Sequence, residues 1–79
     1  MNRSENIFKW ALFSEEGKDV LKHCSKNEQK IAYAILLSNN PQVAADAIDE
    51  TLEILNITVT PSFQKFLTVC AGDEDETIN

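Results

Sequence analysis

The sequence predicts an all-α domain, a small bundle of about four helices with a central antiparallel helical hairpin and an acidic C-terminal tail. Three observations carry this expectation. Four segments place apolar residues at helical spacing, and three cap signals separate them. The one β-branched stretch, 56–60, is too short to make a sheet and has no visible partner.

The first segment spans 5–23. Ser4 can cap it, with Glu5 in the opening turn where a carboxylate favours the helix dipole. Ile7, Phe8, Ala11 and Leu12 form one apolar face, and Val20, Leu21 and Cys24 continue a stripe. Ser14-Glu15-Glu16 offers a second start, so the segment reads equally as one bent helix or two short ones. Gly17 within it costs about 1 kcal/mol relative to alanine in a helix interior.

Ser25-Lys26-Asn27-Glu28 is a capping box, in which the serine accepts from the Glu28 backbone while the Glu28 side chain reaches back. It opens a helix over 26–37, whose 31–37 part is apolar nearly all round and is expected to be buried on most sides, or to pack against a second copy. Ser38-Asn39-Asn40-Pro41 breaks the chain, with Asn39 as a left-handed cap, Asn40 as N-cap and Pro41 at N1. So short a link predicts that helices 26–37 and 41–55 form a hairpin.

Helix 41–55 carries two stripes. Ala44, Ala47, Ile48, Thr51, Leu52 and Leu55 make an apolar one, and Asp46, Asp49, Glu50 and Glu53 an acidic one. Thr60-Pro61 repeats the cap-then-proline signal, and Phe63, Phe66, Leu67 and Cys70 give a last helix over 61–71 that Gly72 ends. The remainder, 73–79, is acidic, has little to bury and is expected to be disordered, so the domain is placed at 1–72.

A chain of 79 residues makes one domain. It buries only about 60% of its unfolded surface, which makes homo-oligomerisation an attractive supplement to the core. Cys24 and Cys70 come without a C-x-x-C or histidine cluster, no secretory leader is visible, and no apolar run approaches the length of a membrane span. A cytoplasmic protein with two free thiols is expected. Asn56-Ile57-Thr58 matches a glycosylation acceptor by chance on that reading.

Enzymatic and metal chemistry find no support. His23 and Cys24 are adjacent, and neighbours on a helix point about 100° apart, so they do not form a nucleophile–base pair. Instead His23 suits a helix C-terminus and Cys24 a small core position. The carboxylate row of helix 41–55 has no central glycine for a calcium loop, and a lone histidine cannot supply a di-metal bundle site. No catalytic residue, cofactor or metal ligand is assigned.

Charge is the informative property. Net charge is −6. Residues 1–40 carry six basic groups against five acidic ones, whereas 41–79 carry Lys65 alone against eight carboxylates. Lys18, Lys22, Lys26 and Lys30 recur every fourth residue, but Ser25 interrupts the run and Glu15, Asp19 and Glu28 lie beside it. Direct nucleic-acid binding is disfavoured, because counterion release needs several uncompensated cations.

The expected function is therefore protein binding. Asp46, Asp49, Glu50 and Glu53, assisted by Asp73, Glu74, Asp75 and Glu76 of the tail, would face a basic, nucleic-acid-handling protein as a regulator or inhibitor that mimics nucleic acid. Small acidic antagonists from phages and other mobile elements offer an analogy of size and charge. Among the aromatic residues, Trp10 is the expected exposed anchor, with Tyr33 second. The alternative is an oligomerisation or assembly adaptor whose charge only keeps it in solution.

Overall fold

The computed structural model describes residues 3–71, which form five helices and no strand: α1 (Arg3–Phe13), α2 (Glu15–Lys22), α3 (Lys26–Leu37), α4 (Pro41–Ile54) and α5 (Pro61–Ala71). The all-α class holds, with five helices in place of about four. The tail 73–79 lies outside the described residues.

Ser14 divides the first segment. Its Oγ accepts from the Gly17 amide at 2.9 Å as the N-cap of α2, and also donates to the Trp10 carbonyl near the end of α1. One hydroxyl thus satisfies an orphan donor of α2 and adds a second bond to the Trp10 carbonyl, which also accepts from the Ser14 amide at 3.3 Å. α1 begins at Arg3, so Ser4 stands inside it rather than at its cap. Gly17 is buried where α2 crosses α1, and a Cβ there would lie 1.8 Å from the Trp10 carbonyl oxygen. Its cost in helix propensity is offset by an approach that only glycine permits.

Both halves of the capping box at α3 are present: the Ser25 Oγ accepts from the Glu28 amide at 3.1 Å, and the Glu28 carboxylate accepts from the Ser25 amide at 2.9 Å. The same carboxylate reaches across to the start of α5, accepting from the Thr60 amide at 3.0 Å and the Thr60 hydroxyl at 2.7 Å. Thr60 in turn caps α5 by accepting from the Phe63 amide. A local cap has become the polar tie between two helix starts, joining residues 32 apart in the chain.

Asn40 caps α4 through the Val43 amide at 3.2 Å, with Pro41 in the first turn. The left-handed residue is Asn56, at φ 57°, and not the expected Asn39. The Ile57 amide donates to the Leu52 carbonyl and the Asn56 amide to the Glu53 carbonyl, the double closure of a Schellman motif.

The core sits around α5. Phe63, Phe66, Leu67, Val69 and Cys70 are all buried, with Phe63 and Phe66 stacked at 6.3 Å and Trp10 beside Phe66 at 6.4 Å. Ile7, Ala11, Leu21, Ala32, Ile35 and Ala45 complete it from the other four helices. α4 packs chiefly on α5 and more lightly on α3, which corrects the expectation that the pairing of 26–37 with 41–55 is the centre of the molecule. The expected burial of 31–37 is also corrected: Ala32, Ile35 and Leu36 face inward, while Ile31, Tyr33, Ala34 and Leu37 are exposed. With the other helices packed around α5, α3 can turn only one side inward.

Candidate protein-interaction surface

The acidic stripe of α4 follows from where the helix turns its small residues. Pro41 and Ala45 are buried, and Ile48 and Leu52 are partly covered on the same side. Asp49 stands at the edge of this contact, accepting from the Gln64 amide at 3.3 Å, and Gln42 donates to the Ala71 carbonyl. These two bonds identify the flank of α4 that borders α5. Asp46 and Glu53 lie on that same flank, and Glu50 lies further out, all three exposed. None of the three takes an ion pair or side-chain hydrogen bond among the described residues.

Such spacing is unfavourable for the helix itself. Asp46 with Glu50 and Asp49 with Glu53 are like-charge i,i+4 pairs, each costing roughly 0.2–0.5 kcal/mol. No lysine or arginine lies on α4. Beside the stripe, Asp49, Leu52, Glu53, Asn56, Ile57 and Gln64 line an open groove of about 340 Å³. It offers carboxylates, two amide side chains and a short apolar floor, which suits a lysine or arginine side chain with its aliphatic stem laid along Leu52 and Ile57.

The expectation for Trp10 is corrected. Its ring is buried against Phe66 and its Nε1 donates to Glu16 at 2.9 Å, so its indole is satisfied within the fold. The exposed aromatic at that end is Phe13, at 71% exposure the last residue of α1 and tilted against Phe8. Its position was readable from Ser14: a cap immediately after Phe13 ends the helix there and leaves its side chain at a corner. Asp73, Glu74, Asp75 and Glu76 fall outside the described residues.

The lysine series is split as the cap at Ser25 implies. Lys18 pairs loosely with Glu15 at 4.0 Å, and Lys18 and Lys22 rim an open cleft of about 320 Å³ floored by Ala11, Leu12 and Leu21. His23 caps α2, its Nδ1 2.8 Å from the Asp19 carbonyl. Cys24 is buried and hydrogen-bonded to the Val20 carbonyl; burial, and then the nearby Glu28 charge, push its thiol pKa up, away from nucleophilic reactivity. Neither Cys24 nor Cys70 forms a disulfide among the described residues, and both are buried. Among the described residues no group of histidine, cysteine and carboxylate side chains could hold a metal, and no helix is long and apolar enough to cross a membrane.

No protein-family model matches this chain, and neither the curated protein sequences nor the solved structures give a significant match.

Proposed function

We propose that the protein is a small acidic binding module in the cytoplasm whose α4 carboxylates engage a basic surface on a nucleic-acid-handling protein, as a regulator or inhibitor. The observation that carries this reading is the state of Asp46, Glu50 and Glu53. They are exposed, set in like-charge pairs and without an ionic partner among the described residues, so the fold gains nothing from them. A cationic partner would relieve that repulsion, and the groove between Asp49 and Gln64 would seat one of its side chains. Residues 73–76 would add to the field and steer association.

The test is capture from source-cell lysate at low and high salt, followed by a competition on the identified protein. The module is expected to displace DNA or RNA from it, more effectively as salt is lowered. A variant with Asp46→Asn, Asp49→Asn, Glu50→Gln and Glu53→Gln should lose both activities. A complex that survives molar salt while its partner still binds nucleic acid normally would exclude charge mimicry.

One observation favours the adaptor alternative as a second reading. Of the eight exposed large hydrophobic residues among those described, seven lie between Ile31 and Ile57. An adaptor would keep its partner when the four carboxylates are neutralised.

A further inference from the structure

The outer side of α3 and α4 is largely apolar along its middle, uncharged there, and oppositely charged along its two edges. The three-residue link 38–40 turns α4 back along α3, and the chain after α4 returns to the start of α3, where Thr60 meets Glu28. The flank of α3 toward α1 and α2 is identified by Gln29, whose side chain donates to the Leu21 and Cys24 carbonyls, and by Tyr33 at the Lys18–Lys22 cleft. The flank of α4 toward α5 is identified by Asp49 and Gln42. With about 3.6 residues per turn, Ile31 and Ala34 on α3 and Ala47 and Ile54 on α4 then fall between those flanks, together with the polar Asn27 and Thr51, and all six are exposed. Lys30 and Leu37 border this strip on the α3 edge, and Val43 and Glu50 border it on the α4 edge.

We infer that this face is covered by a second copy of the chain, related by a twofold axis running parallel to α3 and α4, so that α3 of each copy lies over α4 of the other. The edges select this occupant and this axis. Leu37 and Lys30 are seven residues apart, as are Val43 and Glu50, and in both helices the hydrophobic residue is the one nearer the 38–40 link. Seven residues are two turns, about 10 Å in each helix. A twofold axis along the helices preserves height, so Leu37 meets Val43 of the other copy while Lys30 meets its Glu50, and symmetry makes each pairing twice. A twofold axis across the helices would instead invert height and lay each helix on its own copy, so that Lys30 would face Lys30 or Leu37, and Glu50 would face Glu50 or Val43, and the two charges would never meet. A basic partner laid over this whole face would meet Lys30 as well as Glu50, whereas a second copy pairs the two; in the monomer Glu50 stays open to the basic surface proposed above.

Two helices about 18 and 21 Å long, side by side, offer a face of several hundred Å² per copy, at the small end of specific interfaces. Association on the order of tens of micromolar is expected. Asp46, Asp49 and Glu53 remain outside the dimer, on the α5 flank.

Sedimentation equilibrium of the purified full chain between about 1 and 300 µM tests the inference independently of any partner, with circular dichroism to establish that each variant is folded. A monomer–dimer equilibrium is expected. Lys30→Glu and Glu50→Lys alone should each weaken it at least tenfold, and the two together should restore it to within about threefold. Mixing a Leu37→Cys chain with a Val43→Cys chain under oxidation should give a cross-linked dimer that neither gives alone. A monomer at all concentrations would overturn the inference. So would a dimer indifferent to the single charge reversals, or one that the double reversal fails to restore.

Discussion

α4 and α5 have similar shares of apolar residues, yet one is surface and the other is the centre of the molecule. The difference lies in phase and size. In α5, Phe63, Phe66, Leu67 and Cys70 repeat on one side and Val69 widens it, so five residues of an eleven-residue helix are fully covered. In α4, Val43, Ala47 and Ile54 point away from the side that buries Ala45, and only Pro41 and Ala45 are fully covered. Large side chains in phase place a helix in the core. Small ones spread round its circumference leave it half out, free to carry charge and contacts that the fold does not use.

Equal truncations on the two helices should therefore differ most. Phe66→Ala empties a site with no exposure and breaks two ring contacts, costing about 3–5 kcal/mol and unfolding much of so small a domain. Ile54→Ala, at 74% exposure, should cost under about 0.5 kcal/mol in dilute monomer. Urea denaturation of both variants measures the contrast. A cost above about 2 kcal/mol for Ile54→Ala would break it.

Gly17→Ala comes next. Its new methyl would sit against backbone atoms of Trp10 and Ala11, which cannot swing aside, so α1 and α2 must separate. About 3 kcal/mol of destabilisation is expected, at the upper end for overpacking, against the small gain that alanine brings to an open helix. A stabilised variant would show that the crossing is not close.

Glu28 is the polar counterpart of the α5 core, since it ties α3 to the start of α5. Burial alone would raise its pKa. The hydrogen bonds from the Thr60 hydroxyl and amide, and those of Ser25, outweigh that and hold it below the ordinary value of 4.5. A depressed carboxylate pKa contributes stability above the unfolded value, and that contribution is lost as pH falls through the folded one. Glu28→Gln places an amide nitrogen where the carboxylate accepts, at a cost of about 2 kcal/mol at neutral pH. The gap between variant and parent should close as pH is lowered below about 4.5 in parallel thermal melts.

Much of this was legible in the sequence. The capping box at Ser25, the Asn40-Pro41 start and the Thr60 cap all stand where their residue types put them, because each rests on contacts within four residues. The inward side of α5 was readable from its aromatic spacing. What escaped were the facts fixed by distant residues. Glu28 reads as a local cap, and nothing near it in sequence announces Thr60. Gly17 reads as a weak point because its neighbour across the crossing is Trp10, whose own burial comes from Phe66. The acidic row was visible as a pattern, whereas its lack of ionic partners among the described residues needed the positions of the other helices.

The most direct measurement joins stability to binding in one variant, Asp46→Asn with Asp49→Asn and Glu53→Gln. It leaves Glu50 and the proposed dimer face intact, and the asparagine introduced at position 49 retains an acceptor for Gln64. If α4 holds these carboxylates for a partner rather than for the fold, the variant should melt at the same temperature as the parent or a few degrees higher, since repulsion of a few tenths of a kcal/mol is relieved. It should also lose low-salt capture of the basic partner. A variant destabilised by more than about 1 kcal/mol that still captures its partner at every salt concentration would contradict the account.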